Sequence, residues 1–385
     1  MSKKDPLIYL DHNATTSIDP AAIEAMMRCI RDEFGNPSSA YPLGLRAKEI
    51  VETARQEVAS LIGCKGIELI FTSGGSESNN MALKGLIDLR EPGKYHIITS
   101  GVEHPAVLNP ALYLMELGVR VTILPVDRYG RVSPDDVEKA ITPETRLVSI
   151  ILANNETGTL NPVKEISRIT KRYNIPFHTD AAQAVGKIAV DVNELGVDLL
   201  SIAGHKLYGP KGVGALFIRE GLGLTPLIHG AGQEFGKRAG TENVILVAGL
   251  GAACRIARNR LQQDMIAIKA LRDRLQELLF QDIKDLVLNG HPEERLPNTL
   301  NISVPHLEGA MILEGRPSLA ASTGAACHDR SVKLSHVLSA MNVPPEVGMG
   351  ALRLSLGRGN DIHQIRETAR LITGRVGEMR DSKTV

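Results

Sequence analysis

The sequence predicts an α/β protein with a mainly parallel sheet of seven strands and a second, smaller α+β unit. Two observations carry this prediction: short apolar runs alternate with helical patterns, and each run is followed by glycine or polar residues. The length of 385 residues supports the second unit, because about 150 residues per domain gives two or three domains.

Two amphipathic helices are predicted before the first of these strands. Asp19 is a suitable N-cap with Pro20 at the first helical position, and apolar residues then recur at helical spacing. The segment GNPSS at 35–39 has turn chemistry and ends this helix. The second helix covers about Arg46–Leu61, with apolar residues along one face.

Seven strand-like runs follow, separated by helices. Ligands of parallel α/β sheets bind beyond the carboxyl ends of the strands, so the residues after these runs are the candidate functional residues. The predicted strands are Glu68–Thr72, His96–Ser100, Arg120–Pro125, Arg146–Ala153, Pro176–Thr179, Asp198–Ala203 and Val213–Arg219.

A long helical pattern, from about Val244 to Phe280, joins this unit to a second one and is long enough to bridge two lobes. Two strands and a helix are predicted after it, at Asn298–Val304, Ala351–Leu356 and Ile362–Val376. We therefore predict a large domain at 16–258 and a small domain made of 1–15 and 259–385.

Composition and charge exclude several classes of protein. Basic and acidic residues number 44 each, whereas a sequence-independent nucleic-acid binder needs an excess of cations. The N-terminus lacks the apolar stretch of a signal peptide, and the longest apolar run, Val244 to Cys254, is too short to span a bilayer. We expect no direct nucleic-acid partner and no membrane partner.

Four cysteines are too few and too widely spaced for a disulfide framework, and the absence of CxxC disfavours a metal or Fe–S site. We therefore expect no metal and a reducing, cytoplasmic location. The cysteines are Cys29, Cys64, Cys254 and Cys327.

Side chains of catalytic type follow several predicted strands. The segment SGGSESNN at 73–80 can form a nest of N–H groups for a phosphate, although it matches neither GxxxxGK[ST] nor GxGxxG. His104, Asn155, Asp180 and Lys206 follow four of the later strands. Each alone has an ordinary explanation, such as a helix cap or a solvated lysine, but four strand ends with such residues favour a site.

One cofactor, pyridoxal phosphate, requires this set. It needs a lysine for a Schiff base, an acid against the pyridine nitrogen, a phosphate cup and a group over the ring. Lys206 follows His205 at a strand end, and Asp180 ends the preceding strand. A partly desolvated lysine near other cations has a lowered pKa, which favours its reactive amine form.

Nine segments, in order, resemble the motifs of NifS-like cysteine desulfurases, which are pyridoxal-phosphate enzymes of the class V aminotransferase group with fold type I. The resemblance runs from residue 9 to about residue 360. The segments are YLDHNATT, SGGSESNN, VEHPAV, LANNETG, HTDAAQ, GHKLYGPKG, GTEN, STGAAC and ALRLSLGR.

The resemblance implies a role for each matching residue. Lys206 holds the cofactor and moves protons, Cys327 is the nucleophile, and His104 stacks on the ring. Thr241 reaches the phosphate from the other subunit of a homodimer. The implied cofactor-binding residues are Gly75, Ser76, His104, Asn155, Asp180, Gln183, His205, Lys206 and Thr241, and the implied substrate-binding residues are Asn13, Asn36, Asn155 and Arg353.

The reaction implied by the resemblance takes sulfur from L-cysteine, giving L-alanine and a persulfide on Cys327. An acceptor protein, such as an Fe–S scaffold, then receives the sulfur. Cys327 follows small residues, which favours a mobile loop, and the other three cysteines are interpreted as structural. A thiol with a pKa near ~8.5 needs activation, for which His328 or proton transfer to His104 are candidates.

Three positions depart from the family pattern: Ala203 in place of a hydroxyl residue, Phe235 in place of an arginine, and His328-Asp329 after the nucleophile. The last is similar to selenocysteine lyases, so L-selenocysteine is an alternative substrate, although we favour L-cysteine. A catalytically silent sulfur carrier on the same fold is an alternative of another class. A Rossmann dehydrogenase is disfavoured because no GxGxxG follows the first strand.

Overall fold

The computed structural model describes residues 7–314, 316–323, 325–328 and 331–382, without side chains at 325–328 and 331–333. Within these ranges, no helix combines the length and apolar character that crossing a bilayer requires.

The first two helices form close to where the sequence predicts them. Asp19 caps the first, since its Oδ1 accepts a hydrogen bond from Ala21 N at 2.9 Å. The second starts before its predicted start at Arg46 because Pro42 provides a first helical residue, and it ends at Gly63 with φ 70°. The first elements are β1 (Ile8–Tyr9), α1 (Pro20–Asp32) and α2 (Pro42–Ile62).

A seven-stranded sheet forms the centre of the large unit. Its strands are β2 (Leu69–Thr72), β3 (His96–Ser100), β4 (Arg120–Leu124), β5 (Thr145–Ser149), β6 (Phe177–Asp180), β7 (Leu199–Ala203) and β8 (Gly214–Ile218). They lie in the order β2-β8-β7-β6-β5-β3-β4, and β8 runs antiparallel to both of its neighbours. The pairs from β7 to β4 are parallel, so the predicted fold class is confirmed.

Every predicted strand of this sheet is present; β3 has the predicted bounds, and the other strands differ at one or both ends. The largest difference is at β5, which ends four residues before its predicted end. Its pairing nevertheless continues, because Ile150 N and Leu152 N donate to His178 O at 3.1 Å and Asp180 O at 3.0 Å. The apolar run therefore correctly marks a buried segment that is longer than the regular strand.

The sheet is buried on both faces, as expected for parallel strands covered by helices. Neighbouring residues such as Ile70 and Phe71, or Leu147 and Val148, belong to two different apolar clusters on opposite faces. The helices that follow the strands are α3 (Gly75–Lys84), α4 (Pro105–Glu116), α5 (Pro134–Ala140), α6 (Val163–Arg172) and α7 (Val192–Leu195).

The long helix α8 (Val244–Asp282) contributes to two apolar cores. Leu250 and Cys254 in its first half pack in the core of the large unit, next to α1 and α2. Leu275 and Leu279 near its end pack in a second core. The helix therefore joins the two units, as we predicted from its length of more than thirty residues.

The second unit contains a four-stranded sheet in the order β12-β15-β10-β9, and β1 pairs in parallel with β11. Ile8 and Leu10 share its core, so the N-terminal segment packs with this unit. The domain boundaries at 16–258, 1–15 and 259–385 stay predictions. Its elements are β9 (Val287–Leu288), β10 (Thr299–Ser303), α9 (Gly309–Leu313), β11 (Leu319–Ala320), β12 (Ser322–Thr323), β13 (Ala325–His328), β14 (Ser331–Leu334), α10 (His336–Ala340), α11 (Pro345–Gly348), β15 (Ala351–Ser355) and α12 (Ile362–Asp381).

Candidate active site

A cavity of about 350 Å³ opens at the carboxyl edge of the seven-stranded sheet. Because parallel strands end at the same edge, residues that are far apart in the chain meet there. Ten of the thirteen predicted site residues line it: Asn13, Gly75, Ser76, His104, Asn155, Asp180, Gln183, His205, Lys206 and Arg353. A cavity of about 430 Å³ between α1, α2 and α8 is larger, but its described lining includes neither lysine nor histidine.

Lys206 lies directly after β7, and its Nζ donates to Asn13 O at 2.6 Å and to Ala14 O at 2.7 Å. Burial, together with the nearby Arg353 cation, lowers the pKa of this amine to about 8, against the opposing effect of Asp180 and Asp11. A larger fraction of Lys206 is therefore in the nucleophilic amine form than in a solvated lysine.

Asp180 ends β6 and is buried. Its Oδ2 accepts a hydrogen bond from Asn79 Nδ2 at 2.7 Å, and its Oδ1 accepts one from Ala182 N at 2.9 Å. These bonds hold the carboxylate in one orientation at the cavity wall. Asn79 was not predicted as a site residue, although it lies one helical turn after Gly75 on the same face of α3 and could have been found from that spacing.

The N-terminus of α3 lines the cavity and presents N–H groups to it. Gly75 and Ser76 are its first residues, and N–H groups in the first turn of a helix have no partner within that helix. A Cβ on Gly75 would lie 3.2 Å from the Cβ of Ala203, so the position that departs from the family pattern packs against the glycine. Burial, followed by nearby lysines, lowers the pKa of His205 to about 4, so this imidazole is neutral at pH 7.

His104 is the N-cap of α4 and lines the cavity, where it is exposed. Its Nδ1 accepts a hydrogen bond from Ala106 N at 3.0 Å, which leaves Nε2 for a ligand or a proton. Desolvation lowers the pKa of His104; Asp180 opposes this, whereas the neighbouring Lys206 and His336 side chains add to it.

A guanidinium and an amide lie together on the cavity wall. Arg353 donates to Asp11 Oδ1 at 2.8 Å, to Ser322 Oγ at 2.9 Å and to Asn155 O at 3.3 Å. Arg353 Nε and Asn155 Oδ1 are buried and lack a hydrogen-bond partner among the described residues. Buried polar atoms are normally paired, so these two remain available for a bound molecule.

Three predicted site residues are not in the cavity lining. Asn36 is exposed in the turn before α2, and its Oδ1 accepts from Ser38 N at 2.9 Å. Thr241 is exposed near the start of α8. The backbone of Cys327 lies in β13, which pairs with β14; the Cys327 side chain and all of Asp329 lie outside the described residues.

Phe235, the second departure, has a structural explanation. Its ring centroid lies 5.1 Å from the Arg55 guanidinium carbon, and Phe71 lies on the same guanidinium at 4.8 Å. Arg55 also forms a buried, two-bond ion pair with Glu234 at 2.8 and 2.9 Å. An arginine at position 235 would place a second cation on Arg55, whereas phenylalanine stacks on it. The residue does not line the cavity.

The fold and the cavity together define an α/β enzyme built around a lysine amine and a buried carboxylate at the edge of a parallel sheet. Residues 8–367 match the family model described as aminotransferase class-V. The chain therefore belongs to this family.

Similar proteins agree with this assignment. A protein from Dictyoglomus turgidum named cysteine desulfurase IscS is 50% identical over 91% of this chain and 89% of that protein. A solved structure of a NifS-like protein matches with a TM-score of 0.90 and 38% identity, over 96% of this chain and 99% of that one. A structure described as SspA in complex with cysteine matches with a TM-score of 0.79 and 35% identity, over 91% and 98%. The predicted resemblance to NifS-like cysteine desulfurases is confirmed.

Proposed function

We propose that the protein is a pyridoxal-phosphate-dependent cysteine desulfurase that converts L-cysteine to L-alanine and leaves a persulfide on Cys327. One observation carries the proposal: Lys206, with a pKa lowered to about 8, shares a cavity with the buried Asp180 and the N-terminus of α3. The similarity to proteins named cysteine desulfurase supports the same reaction.

The residues present fit the cofactor. Lys206 provides the amine that holds it, Asp180 provides a carboxylate for the ring nitrogen, and the first N–H groups of α3 provide a cup for the phosphate. Bound pyridoxal phosphate supplies an electron sink that makes the Cα proton of the substrate acidic.

The other steps belong to side chains of this chain. Lys206 moves the proton at Cα, and Asp180 keeps the ring nitrogen protonated. Arg353 Nε would hold the substrate carboxylate, because this buried donor has no other described partner. Asn155 lines the same wall and would contribute through its Nδ2 group, since its Oδ1 can only accept. His104, which lines the cavity with Nε2 unused by its bond to Ala106 N, would stack on the ring and accept a proton at Nε2.

The Cys327 thiolate attacks the sulfur of the substrate. A sulfur–sulfur bond forms, the carbon–sulfur bond breaks, and its electron pair stays on the carbon skeleton, which takes up a proton and becomes alanine. Neither an external oxidant nor a reductant is needed, so the step balances within the site.

We further propose the finer assignments that accompany this reaction: a homodimer in which Thr241 of one subunit reaches the phosphate of the other, a sulfur acceptor such as an Fe–S scaffold protein, and a cytoplasmic location. The exposed position of Thr241 outside the cavity of its own chain supports the first of these.

The deciding experiment is the mass of the protein after incubation with cysteine. We expect an increase of about 32 Da, one sulfur atom, located on Cys327 by peptide mapping, together with alanine as product. The Cys327→Ala variant should keep the visible absorbance of the bound cofactor but gain no mass and form no sulfide. Absence of the adduct and of alanine, with selenocysteine tested in parallel, would indicate a different substrate or a silent carrier.

A further inference from the structure

A second lysine, Lys187, contacts side chains of the candidate active site from outside the cavity. It is not among the residues that line the cavity, and the sequence motifs assign it no role. Its Nζ donates to Gln183 Oε1 at 2.6 Å and to Asn13 Oδ1 at 3.1 Å. Both acceptors belong to side chains that do line the cavity, so Lys187 acts on the site through them.

The bond from Lys187 determines which end of the Gln183 amide faces Lys206. Gln183 Nε2 donates to Asn13 O at 2.9 Å, and Lys206 Nζ donates to the same carbonyl oxygen at 2.6 Å. Reversing the amide would place Oε1 against a carbonyl oxygen and Nε2 against the amine of Lys187. The bond to Asn13 O would be replaced by a contact between two acceptors, and a protonated Lys187 would lose its acceptor as well, so the observed orientation is preferred.

Asn13 is held in the same way. Its Oδ1 accepts from Asn298 Nδ2 at 3.0 Å as well as from Lys187, and its Nδ2 donates to Thr299 Oγ1 at 2.9 Å. Asn298 and Thr299 belong to the second unit, whereas Lys187 follows β6 of the large sheet. Lys187 therefore connects the sheet to the segment that supplies the carbonyl acceptor of Lys206.

The charges around Lys187 do not remove these bonds. Burial lowers the pKa of Lys187 well below its ordinary value, and the Lys206 and Arg353 cations lower it further; His12 and His205 are the other titratable groups on which Lys187 acts. An amine keeps two N–H groups when it loses its proton, and Lys187 has two acceptors. The orientation of Gln183 is therefore maintained in both protonation states.

We propose that Lys187 is a positioning residue that turns Gln183 Nε2 toward Lys206, where it donates a hydrogen bond to the ring hydroxyl oxygen of pyridoxal phosphate. This inference rests on the proposed function. A donor at that oxygen stabilises its anionic form, and so lowers the pKa of the neighbouring nitrogen that joins Lys206 to the cofactor. Loss of the Lys187 amine should raise that pKa.

The test is a pH titration of the visible absorbance of the cofactor-loaded protein. We expect Lys187→Met to raise the absorbance pKa by about 0.5–1 unit, the size of one weakened hydrogen bond. The same substitution in a Gln183→Ala background should cause no further shift. A purely electrostatic effect of the lysine would persist in that background, so the double variant separates positioning from charge.

Lys139→Met, at an exposed lysine on α5, is the matched control and should titrate as the wild type. If Lys187→Met does not fold, Lys187→Leu replaces it, because leucine likewise has no donor for Gln183 Oε1. A titration that is unchanged in the folded variant, or equal shifts with and without Gln183, overturns the proposal. A wild-type protein that takes up no cofactor contradicts the proposed function as well.

Discussion

The carboxyl edge of the seven-stranded sheet and the hairpin that carries Cys327 are built in opposite ways. At the sheet edge, His104, Asn155, Asp180 and Lys206 come from the ends of four different strands. Asp180, for example, is buried and held by hydrogen bonds from Asn79 and Ala182. The strands β13 and β14 pair with each other in a separate two-stranded sheet. The hairpin joins the large unit just after β14, where Ser335 donates to Glu156 and His336 Nε2 lies 2.9 Å from Glu103 O.

This difference separates two tasks. Holding a cofactor requires groups that do not reorganise during the reaction, which a parallel sheet edge provides. In the proposed reaction, Cys327 receives sulfur inside the cavity and delivers it to another protein, so its segment has to serve two positions. We infer that the contacts of Ser335 and His336 position the hairpin, whereas the residues at the sheet edge bind the cofactor and move protons.

The other three cysteines show how burial in the large unit changes the pKa of a thiol. Burial is the main cause that raises the pKa of Cys64 to about 12, and it also raises the pKa values of Cys29 and Cys254. Only the thiolate is nucleophilic, so these three side chains are unreactive at neutral pH. Their interpretation as structural residues agrees with this burial.

The largest effect is expected at the sheet edge. Lys206→Ala removes the amine that holds the cofactor and moves the Cα proton, so we expect the rate of alanine formation to fall by about 10³-fold or more. The visible absorbance of the bound cofactor should also disappear. Both are measured on purified protein incubated with pyridoxal phosphate and cysteine.

The matched control is Lys211→Ala, which changes an exposed lysine five residues away. It should retain both absorbance and activity. An active Lys206→Ala variant would mean that another amine, such as Lys187, holds the cofactor. The sheet edge would then not be the fixed cofactor site with which we compare the hairpin.

The sequence predicts the sheet edge well because strand ends are local signals. Apolar runs mark the strands, and the polar residues directly after them are the ones that meet in the cavity. The strand order and the antiparallel direction of β8 are not local properties, and no run of residues encodes them. The motif resemblance supplied Arg353 and Asn13, which come from segments without a strand-end signal in the large sheet.

The residues that the sequence did not reveal act through long-range contacts. Lys187 resembles any lysine in a turn until folding places its amine beside Asn13, which is 174 positions away. The stacking of Phe235 on Arg55 likewise joins segments that are distant in the chain. Such contacts depend on three-dimensional packing, and single residue types in a sequence do not predict them.

An intermediate effect is expected in the pH dependence of cofactor capture by the cofactor-free protein. Only the free amine of Lys206 reacts, so the capture rate should rise about tenfold per pH unit and level off above a pKa of about 8. Arg353→Leu removes a cation that lowers this pKa, and should move the inflection to higher pH. The growth of visible absorbance after mixing measures both. An inflection at 10.5, the ordinary value for lysine, would contradict a buried Lys206 next to the Arg353 cation.

The smallest effect is expected where the hairpin is attached. Ser335 caps α10, since its Oγ accepts from Val337 N at 3.1 Å while donating to Glu156. Losing such a cap costs about 1 kcal/mol, which corresponds to about fivefold in a rate that depends on the hairpin's position. We therefore expect Ser335→Ala to slow persulfide formation on Cys327 about fivefold in a single turnover, measured by rapid quenching and mass spectrometry.

The same variant should leave the inflection of cofactor capture unchanged, because Ser335 is not part of the cavity lining. Ser339→Ala, an exposed position in the same helix, should change neither quantity and controls for a general effect on α10. If Ser335→Ala altered cofactor capture and persulfide formation equally, the hairpin and the sheet edge would act as one unit. If only persulfide formation is slowed, the hairpin and the sheet edge are positioned independently, and the contact between Ser335 and Glu156 connects them.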